Sequence, residues 1–578
     1  MLIYTILVTT KEMREENGQL EKKSVAGTIL TLIIASTLCV AFNAASALAE
    51  EAPEDYPLLG LLDAVGTYFE VNNSAYLNIS ITSTETVHMV LESVPRIIIL
   101  LIESNNSATS TVLDFSNFEP EKAYYRYQDG NLTESFTTDS AGNYSYVQDI
   151  HSPHHIFIVE NTATIYIRPD GSVDPSTAPI QRDGDIYSFS DNIHDTITVQ
   201  RDNIVIDGNG FTLQGGLFGF YLISRSGVTI KNVIIKGWLN GILLVWSPNN
   251  KFSENTVSNN RIGICVSYDS DECTISENTV TSNDLYGIFL RDSRKCIITR
   301  NSVTNMNYGV FLDLSDQTTV VGNTVSGNSY GVFIGRSDHT TIFRNAFLSN
   351  YYGMYLHWDC HYNIIYHNNF VDNTIQAYDK GLPSNPTNNW DHPDMLEGNY
   401  WSDYPGIDDG SGTGKHAIAG DGIGDTYIPW PGPYYDFYPF TCENGWIVTA
   451  EVDIDPDTLN LKSNGEFINV YIELPEGHDV ADIVLETVYL EGIQAITDPT
   501  YGFVTDPDAY LMDHDGDGIQ ERMVKFDRAS VLEWIGSADY GEDTGKSVEV
   551  TLTITGEVDG AEPSPFEGSD TVKVLLKG

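Results

Sequence analysis

An asparagine returns at a nearly fixed interval through the middle of this 578-residue chain. It stands at Asn232, Asn255, Asn278, Asn301, Asn323, Asn345 and Asn368, in steps of 22 or 23 residues. A glycine series keeps pace: Gly241, Gly263, Gly287, Gly309, Gly331 and Gly353. Between them apolar residues alternate over four or five positions, then a Gly or Asn breaks the run. No helix fits that pattern, and β-branched residues are enriched throughout. A period of this length with short strands and polar corners is one coil of a parallel β-helix. Coils stack at the interstrand spacing of ~4.8 Å, so equivalent residues lie one above another. Asn tolerates the left-handed backbone of a corner, and its amide can bond to the next Asn along the stack. The Asn series therefore reads as structural.

Three further segments accompany the repeat. Arg201–Gly215 reads RDNIVIDGNGFTLQG, each coil carries a G-I/V-x-L strand, and the exit from Gly398 to Phe440 contains GNYWSDY, GDGIGDTYI and DFYPF. Together they resemble right-handed parallel β-helix proteins of the NosD type, the carbohydrate-binding and sugar-hydrolase repeats of the pectin-lyase-like fold. The resemblance covers about residues 165–440. It implies the fold; it does not imply one activity, because this fold hosts lyases, epimerases, hydrolases and inert binders. The NosD likeness also implies an association with copper delivery.

Counting each Gly as zero, positions +1 and +3 are apolar on every coil and point inward by the period of two. Position +2 then points outward and carries Phe289, Phe311, Phe333 and Tyr355 on successive coils. Two readings stand: a platform for the C–H faces of sugar rings, or a self-stacked ladder buried under a neighbouring domain. Position +4 adds Arg291, Asp313 and His357 beside the aromatics. A lyase needs a cation and a base at one centre, and a hydrolase two carboxylates at a set separation. Arg291 and His357 are three coils apart, about 14 Å, too far for one centre. No carboxylate pair converges, and the D-P-H motif of alginate epimerases is absent. A solvated polar strip is the plainer account.

His339 and His361 should stack on adjacent coils, with His357, Cys360 and His367 near in sequence. Imidazole and thiolate suit copper or zinc, but the spacing matches no closed zinc pattern. Cys273 and Cys296 occupy equivalent positions one coil apart, which suits either a disulfide or two stacked free thiols. Cys265, Cys360 and Cys442 have no evident partner.

The flanks read differently. Lys22 and Lys23 precede an apolar run from Val25 to Phe42, followed by Ala47-Leu48-Ala49. That order is a secretory signal; its alternative is an uncleaved membrane anchor. Residues 50–163 alternate as strands do and resemble a fibronectin-type sandwich. They hold five glycosylation sequons, at Asn72, Asn78, Asn105, Asn131 and Asn143. The C-terminal part resembles the acidic accessory modules of exported multidomain proteins. From residue 446 onward it carries 29 acidic and 7 basic residues, a net −22. Within it Asp513, Asp515 and Asp517 alternate around glycines, with Glu521 following. Carboxylates so placed converge on a hard cation, which makes calcium the natural ligand. The twelfth position of an EF-hand would be Val524, so a shorter loop closed by Glu521 competes with a bland acidic turn.

The whole chain has 81 acidic and 30 basic residues, a formal charge of −51. That excludes nucleic-acid backbones and anionic lipid as partners. The expected protein is all-β: a signal at 1–49, a sandwich at 50–163, a right-handed β-helix of about nine coils with its cap at 164–440, and an acidic sandwich-like domain at 441–578. It is expected to be a secreted or cell-surface monomer that binds a polysaccharide or cell-surface glycan along the helix face. It touches a membrane only if the N-terminal anchor is uncleaved. A polysaccharide lyase, epimerase or hydrolase, and a NosD-like copper-maturation factor, are the alternatives.

Overall fold

The computed structural model describes residues 61–71, 79–94, 97–129, 131–161, 163–357, 359–380, 388–426, 435–462, 465–475, 478–537, 547–560 and 563–575. The signal segment and the sequons at Asn72 and Asn78 lie outside them; Asn105 and Asn143 are exposed. Two compact units emerge. One takes the described residues up to Pro405 together with Asp425–Pro439, the other Gly406–Gly424 together with those from Phe440 onward.

The N-terminal part of the first unit has eight strands: β1 (Leu61–Val71), β2 (Ile79–Val94), β3 (Ile97–Ser104), β4 (Ser110–Ser116), β5 (Ala123–Gln128), β6 (Asn131–Thr137), β7 (Tyr144–Asp149) and β8 (His154–Glu160). They form one continuous sheet, in the order β6-β5-β8-β3-β2-β4-β7 with β1 against β2. A fibronectin-type sandwich would divide them into two sheets. Here β2 is long enough to serve both layers: its first part pairs with β4, and Val87–Val94 pair with β3. β1 follows it by shifting register between Gly66 and Tyr68. The sheet encloses a core that includes Phe69, Ile81, Met89, Leu100, Phe115, Tyr124 and Ile158.

The repeat is a parallel β-solenoid of about nine turns. Its coils contribute to three sheets of eleven, ten and nine strands. Residues +1 and +3 after each glycine, among them Ile288, Leu290, Val310, Leu312, Val332 and Ile334, fill one continuous interior. The glycine column is set by close approach. A methyl at Gly309 would stand 2.6 Å from the Gly331 carbonyl oxygen, and Gly263 and Gly287 meet the coil below in the same way.

The corners are held by polar ladders. The Asn301 backbone N–H and side-chain amide both donate to Asn323 Oδ1 at 2.9 Å, and the pattern repeats through Asn255, Asn278, Asn345, Asn368 and Asn399. Asn232 is not on this ladder. Its coil is 22 residues long, so Asn255 stacks on Val233, whose N–H it accepts. Asn232 instead opens a column of left-handed residues continued by Glu254, Glu277 and Arg300. A second corner stacks Asn260 on Asn283 and Asn328 on Asn350 and Asn373; a third stacks serine hydroxyls at Ser293, Ser315 and Ser337.

In the second unit, a six-stranded and a four-stranded sheet pack around Ile454, Val470, Phe526, Leu552 and Val572, with the helix Arg528–Ser537 contributing Val531 and Ile535. Among the described residues no helix is long and apolar enough to cross a membrane.

Candidate functional site

The eleven-stranded solenoid sheet presents two aromatic columns outward. Phe289, Phe311, Phe333 and Tyr355 stand in register on adjacent strands, and Tyr378 continues them. Beside them run Tyr286, Tyr308, Tyr330 and Tyr352, the residue before each glycine. Sequence reasoning passed over this second column, although the repeated Tyr-Gly pair displays it. Along the column Tyr308, Tyr330 and Tyr352 stack at 4.8 and 5.1 Å with rings nearly parallel. Phe333 and Tyr355 stack at 5.1 Å, at right angles to that column. The rings therefore support one another as well as facing outward.

Exposure changes along the row. Phe289 is 4% exposed, Phe311 and Phe333 are half-buried, Tyr355 is 7% exposed and Tyr378 38%. The cause at the first end is the N-terminal sheet. Tyr127 on β5 and Val159 on β8 belong to the same apolar cluster as Phe218, Leu243, Cys265, Tyr286 and Phe289, with Tyr125 packed against it. Alternation explains the division: Tyr124 and Ile158 face the sheet's own core, while Tyr125, Tyr127 and Val159 face the solenoid. The row is thus covered at Phe289 and again buried at Tyr355, with Phe311, Phe333 and Tyr378 more exposed.

Arg291, Asp313 and His357 lie where the repeat puts them. Asp313 is 7% exposed and accepts both oxygens' worth of bonds from Arg336 Nη2, at 2.6 and 2.7 Å, with Nε at 3.0 Å. Arg291 Nε stands 3.9 Å from it on the other side. Arg336 was not foreseen, because it sits at a left-handed corner one residue beyond the strand. Gly335 stands beside Asp313 on the next strand, where an added methyl would meet Phe333, Phe311 and Asp313 at 3.5 to 3.8 Å, an ordinary contact distance. His357 packs against Phe333 and Tyr355, with ring centres 6.0 and 6.4 Å away. A carboxylate clamped between two guanidiniums is a rigid acceptor in a fixed orientation.

The histidine and cysteine group does not assemble. His339 stacks on Tyr362, His361 pairs with Asp338, Cys360 donates to the Ile334 carbonyl, and His367 Nε2 pairs with Glu397 at 2.8 Å. Cys273 and Cys296 are free thiols in the solenoid interior, as is Cys360. Among the described residues the one set of three or more metal-capable side chains is Asp513, Asp515 and Asp517, whose oxygens lie within 4.8 Å of one another. Each carboxylate also accepts a backbone N–H of the loop, from Gly516, Asp517 and Ile519. Glu521 is outside that set: it is buried and accepts the His514 N–H at 2.7 Å. His514 stacks on Tyr471 at 3.6 Å.

Residues 190–406 match the family described as "Periplasmic copper-binding protein (NosD)". Among the described residues the histidines and cysteines of the solenoid do not converge on one centre, as copper would require. No curated protein matches the chain. Solved structures similar to it include a double mutant of the periplasmic alginate epimerase AlgG, at 14% identity and a TM-score of 0.24, over 37% of this chain and 70% of that one. The A-module of the mannuronan C-5 epimerase AlgE4 from Azotobacter vinelandii is similar at 13% identity and 0.23, over 37% and 70%. The catalytic unit of a GH87 α-1,3-glucanase from Streptomyces thermodiastaticus is similar at 11% identity and 0.24, over 59% and 98%.

Proposed function

We propose that this protein binds a polysaccharide or other glycan polymer along the outer face of its solenoid, from Phe311 to Tyr378, as a secreted or surface-exposed binder. The observation that carries this reading is the Asp313 clamp beside the half-buried Phe311 and Phe333. Aromatic rings pack on the apolar faces of sugars, and an oriented carboxylate with flanking guanidiniums fixes sugar hydroxyls. Both lie on one strand pair. Binding is favoured over catalysis because Asp313 is held by two arginines, and a glycosidase needs a second carboxylate facing it across the bond. The acidic loop at Asp513, Asp515 and Asp517 is assigned to calcium, which would stiffen the C-terminal unit and take no part in glycan recognition.

The test is a panel of immobilised polysaccharides probed with the full chain, alongside Phe333→Ala and Arg336→Ala. Retention of the native chain and a loss of about tenfold or more in each variant is expected. If no polysaccharide is retained, or if both variants bind like the parent, the reading fails.

A further inference from the structure

The five sequons are unevenly placed. Residues 50–163 hold nine asparagines, and five of them, Asn72, Asn78, Asn105, Asn131 and Asn143, open an N-x-S/T triplet. Residues 164–440 hold 27, and none does, since proline bars Asn385-Pro386-Thr387. The coil explains that empty stretch. Two residues after a ladder asparagine the chain points inward again, so Asn255, Asn278, Asn301 and Asn323 are followed there by Val257, Val280, Val303 and Val325, all fully buried. Nothing in the strand pattern of the N-terminal sheet calls for a hydroxyl two residues after an asparagine, so the five need a reason of their own.

The folded chain treats the described sequons differently. Asn105 lies in the turn between β3 and β4, where Asn105, Asn106 and Ser107 are all exposed. Asn106 shapes that turn: its Oδ1 accepts the Ala108 N–H at 2.6 Å, and its carbonyl accepts the Ser104 hydroxyl at 2.8 Å. Asn105 and Ser107 are left out of this network. Among the described residues neither the Asn105 amide nor the Ser107 hydroxyl makes a hydrogen bond. Asn143 is exposed too, but its amide donates to Asp139 Oδ2 at 3.1 Å and its backbone N–H to Asp139 Oδ1 at 2.8 Å. In the Asn131 triplet the Thr133 hydroxyl donates to the Arg126 carbonyl at 2.9 Å. An enzyme that modifies a sequon must hold both the amide and the hydroxyl, so groups already bonded within the fold have to be released first.

We propose that Asn105 is an N-glycosylation site, filled on the folded chain in preference to Asn131 and Asn143. The donor class is an oligosaccharide joined through pyrophosphate to a lipid carrier. Asn105 Nδ2 attacks C1 of the first sugar, and the N–C bond forms as the bond from C1 to the pyrophosphate oxygen breaks. The lipid pyrophosphate leaves with the bonding pair, and the amide proton passes to a base of the transferase. No oxidation or reduction is involved. The modification adds a bulky, hydrated group to an exposed turn and disturbs no packed side chain. The proposal rests on the export contained in the reading above and not on its glycan binding.

The experiment is peptide mapping by mass spectrometry of the full chain recovered from the cells that naturally make it, alongside Asn105→Gln and Ser107→Ala expressed in the same cells. The peptide carrying Asn105 should bear an oligosaccharide mass, at higher occupancy than those carrying Asn131 and Asn143. Both variants should lose that mass entirely while melting as the parent does, because both side chains are exposed. Ser107→Ala keeps the asparagine, so a mass that persists in it is not sequon chemistry and overturns the proposal. Equal or higher occupancy at Asn143 overturns the preference assigned to the folded turn. The N-terminal peptide separates two failures. A bare Asn105 in chains that begin at Glu50 overturns the modification and leaves export standing. A bare Asn105 in chains that keep the Val25–Phe42 run inside the cell overturns both together.

Discussion

The backbone N–H of Asn399 donates to Asp436 Oδ2 at 2.8 Å, and there the asparagine ladder ends. Each Asn above it passes its donors down to the next amide oxygen, so the last one requires an acceptor. Asp436 supplies it while also taking the Trp401 indole N–H at 2.7 Å and the Tyr438 N–H at 3.1 Å. Gly398 is part of the same fit, because a methyl there would overlap the carboxylate.

Complete burial pushes the Asp436 carboxyl up to about 7 from an ordinary value of 3.8, against the lowering by these donors. Below pH 4 the carboxyl is protonated in both states and costs nothing. Between pH 4 and 7 the unfolded chain ionises while the folded group keeps its proton, so stability falls as pH rises. Above 7 the loss is constant, about 4 kcal/mol in total. Urea unfolding at pH 5 and pH 8 should therefore show a steeper decline for the parent than for Asp436→Asn. Equal slopes would assign the pH dependence to the other carboxylates.

Asn301 has a buried amide that donates to Asn323 Oδ1 and to the carbonyls of Ile275 and Thr299, while its oxygen accepts from Asn278. Asn301→Ala should cost about 3 kcal/mol or more, since it strands donors and acceptors on both neighbouring coils. Asn232→Gly, seven repeats' worth of sequence similarity notwithstanding, should change stability by under about 1 kcal/mol, because Asn232 serves a left-handed corner that glycine also accepts. Denaturant titration of the two variants separates ladder from corner.

The contrast shows what the sequence could and could not tell. Coil length, inward residues and the outward aromatic row all follow from a period that the chain repeats many times. The misplaced Asn232 came from reading one step as 23 where the coil has 22. Arg336 was invisible because the partner of Asp313 depends on where the corner turns, one residue past the strand. The covering of Phe289 depends on a contact between β5, β8 and the solenoid, and no periodicity encodes contacts between different elements. Glu521 looked like a fourth ligand by spacing, yet the hairpin gives its oxygen to the His514 N–H.

Calcium should raise the melting temperature of the full chain measurably at millimolar concentration, by mass action on the folded loop. Asp515→Ala should abolish that shift while leaving the metal-free melting temperature within a degree or two. Glu521→Gln should retain most of it, since Glu521 is turned to the backbone. A shift that persists in Asp515→Ala would place the ion elsewhere.

Thiol chemistry separates the solenoid cysteines from Cys442. Reactivity belongs to exposed thiolates. Burial pushes Cys265 and Cys360 each up to about 12, and Cys296 is raised further by its hydrogen bond with Cys273 and by burial. Cys442 is exposed. Maleimide at neutral pH should therefore label Cys442 in the folded chain and leave Cys265, Cys273, Cys296 and Cys360 untouched, as peptide mapping would read directly. In urea without reductant all five should label, because Cys273 and Cys296 are stacked free thiols. If that pair resists labelling in urea and yields only after reduction, the two are joined by a disulfide, and the solenoid interior is covalently stapled where this structure shows it held by packing alone.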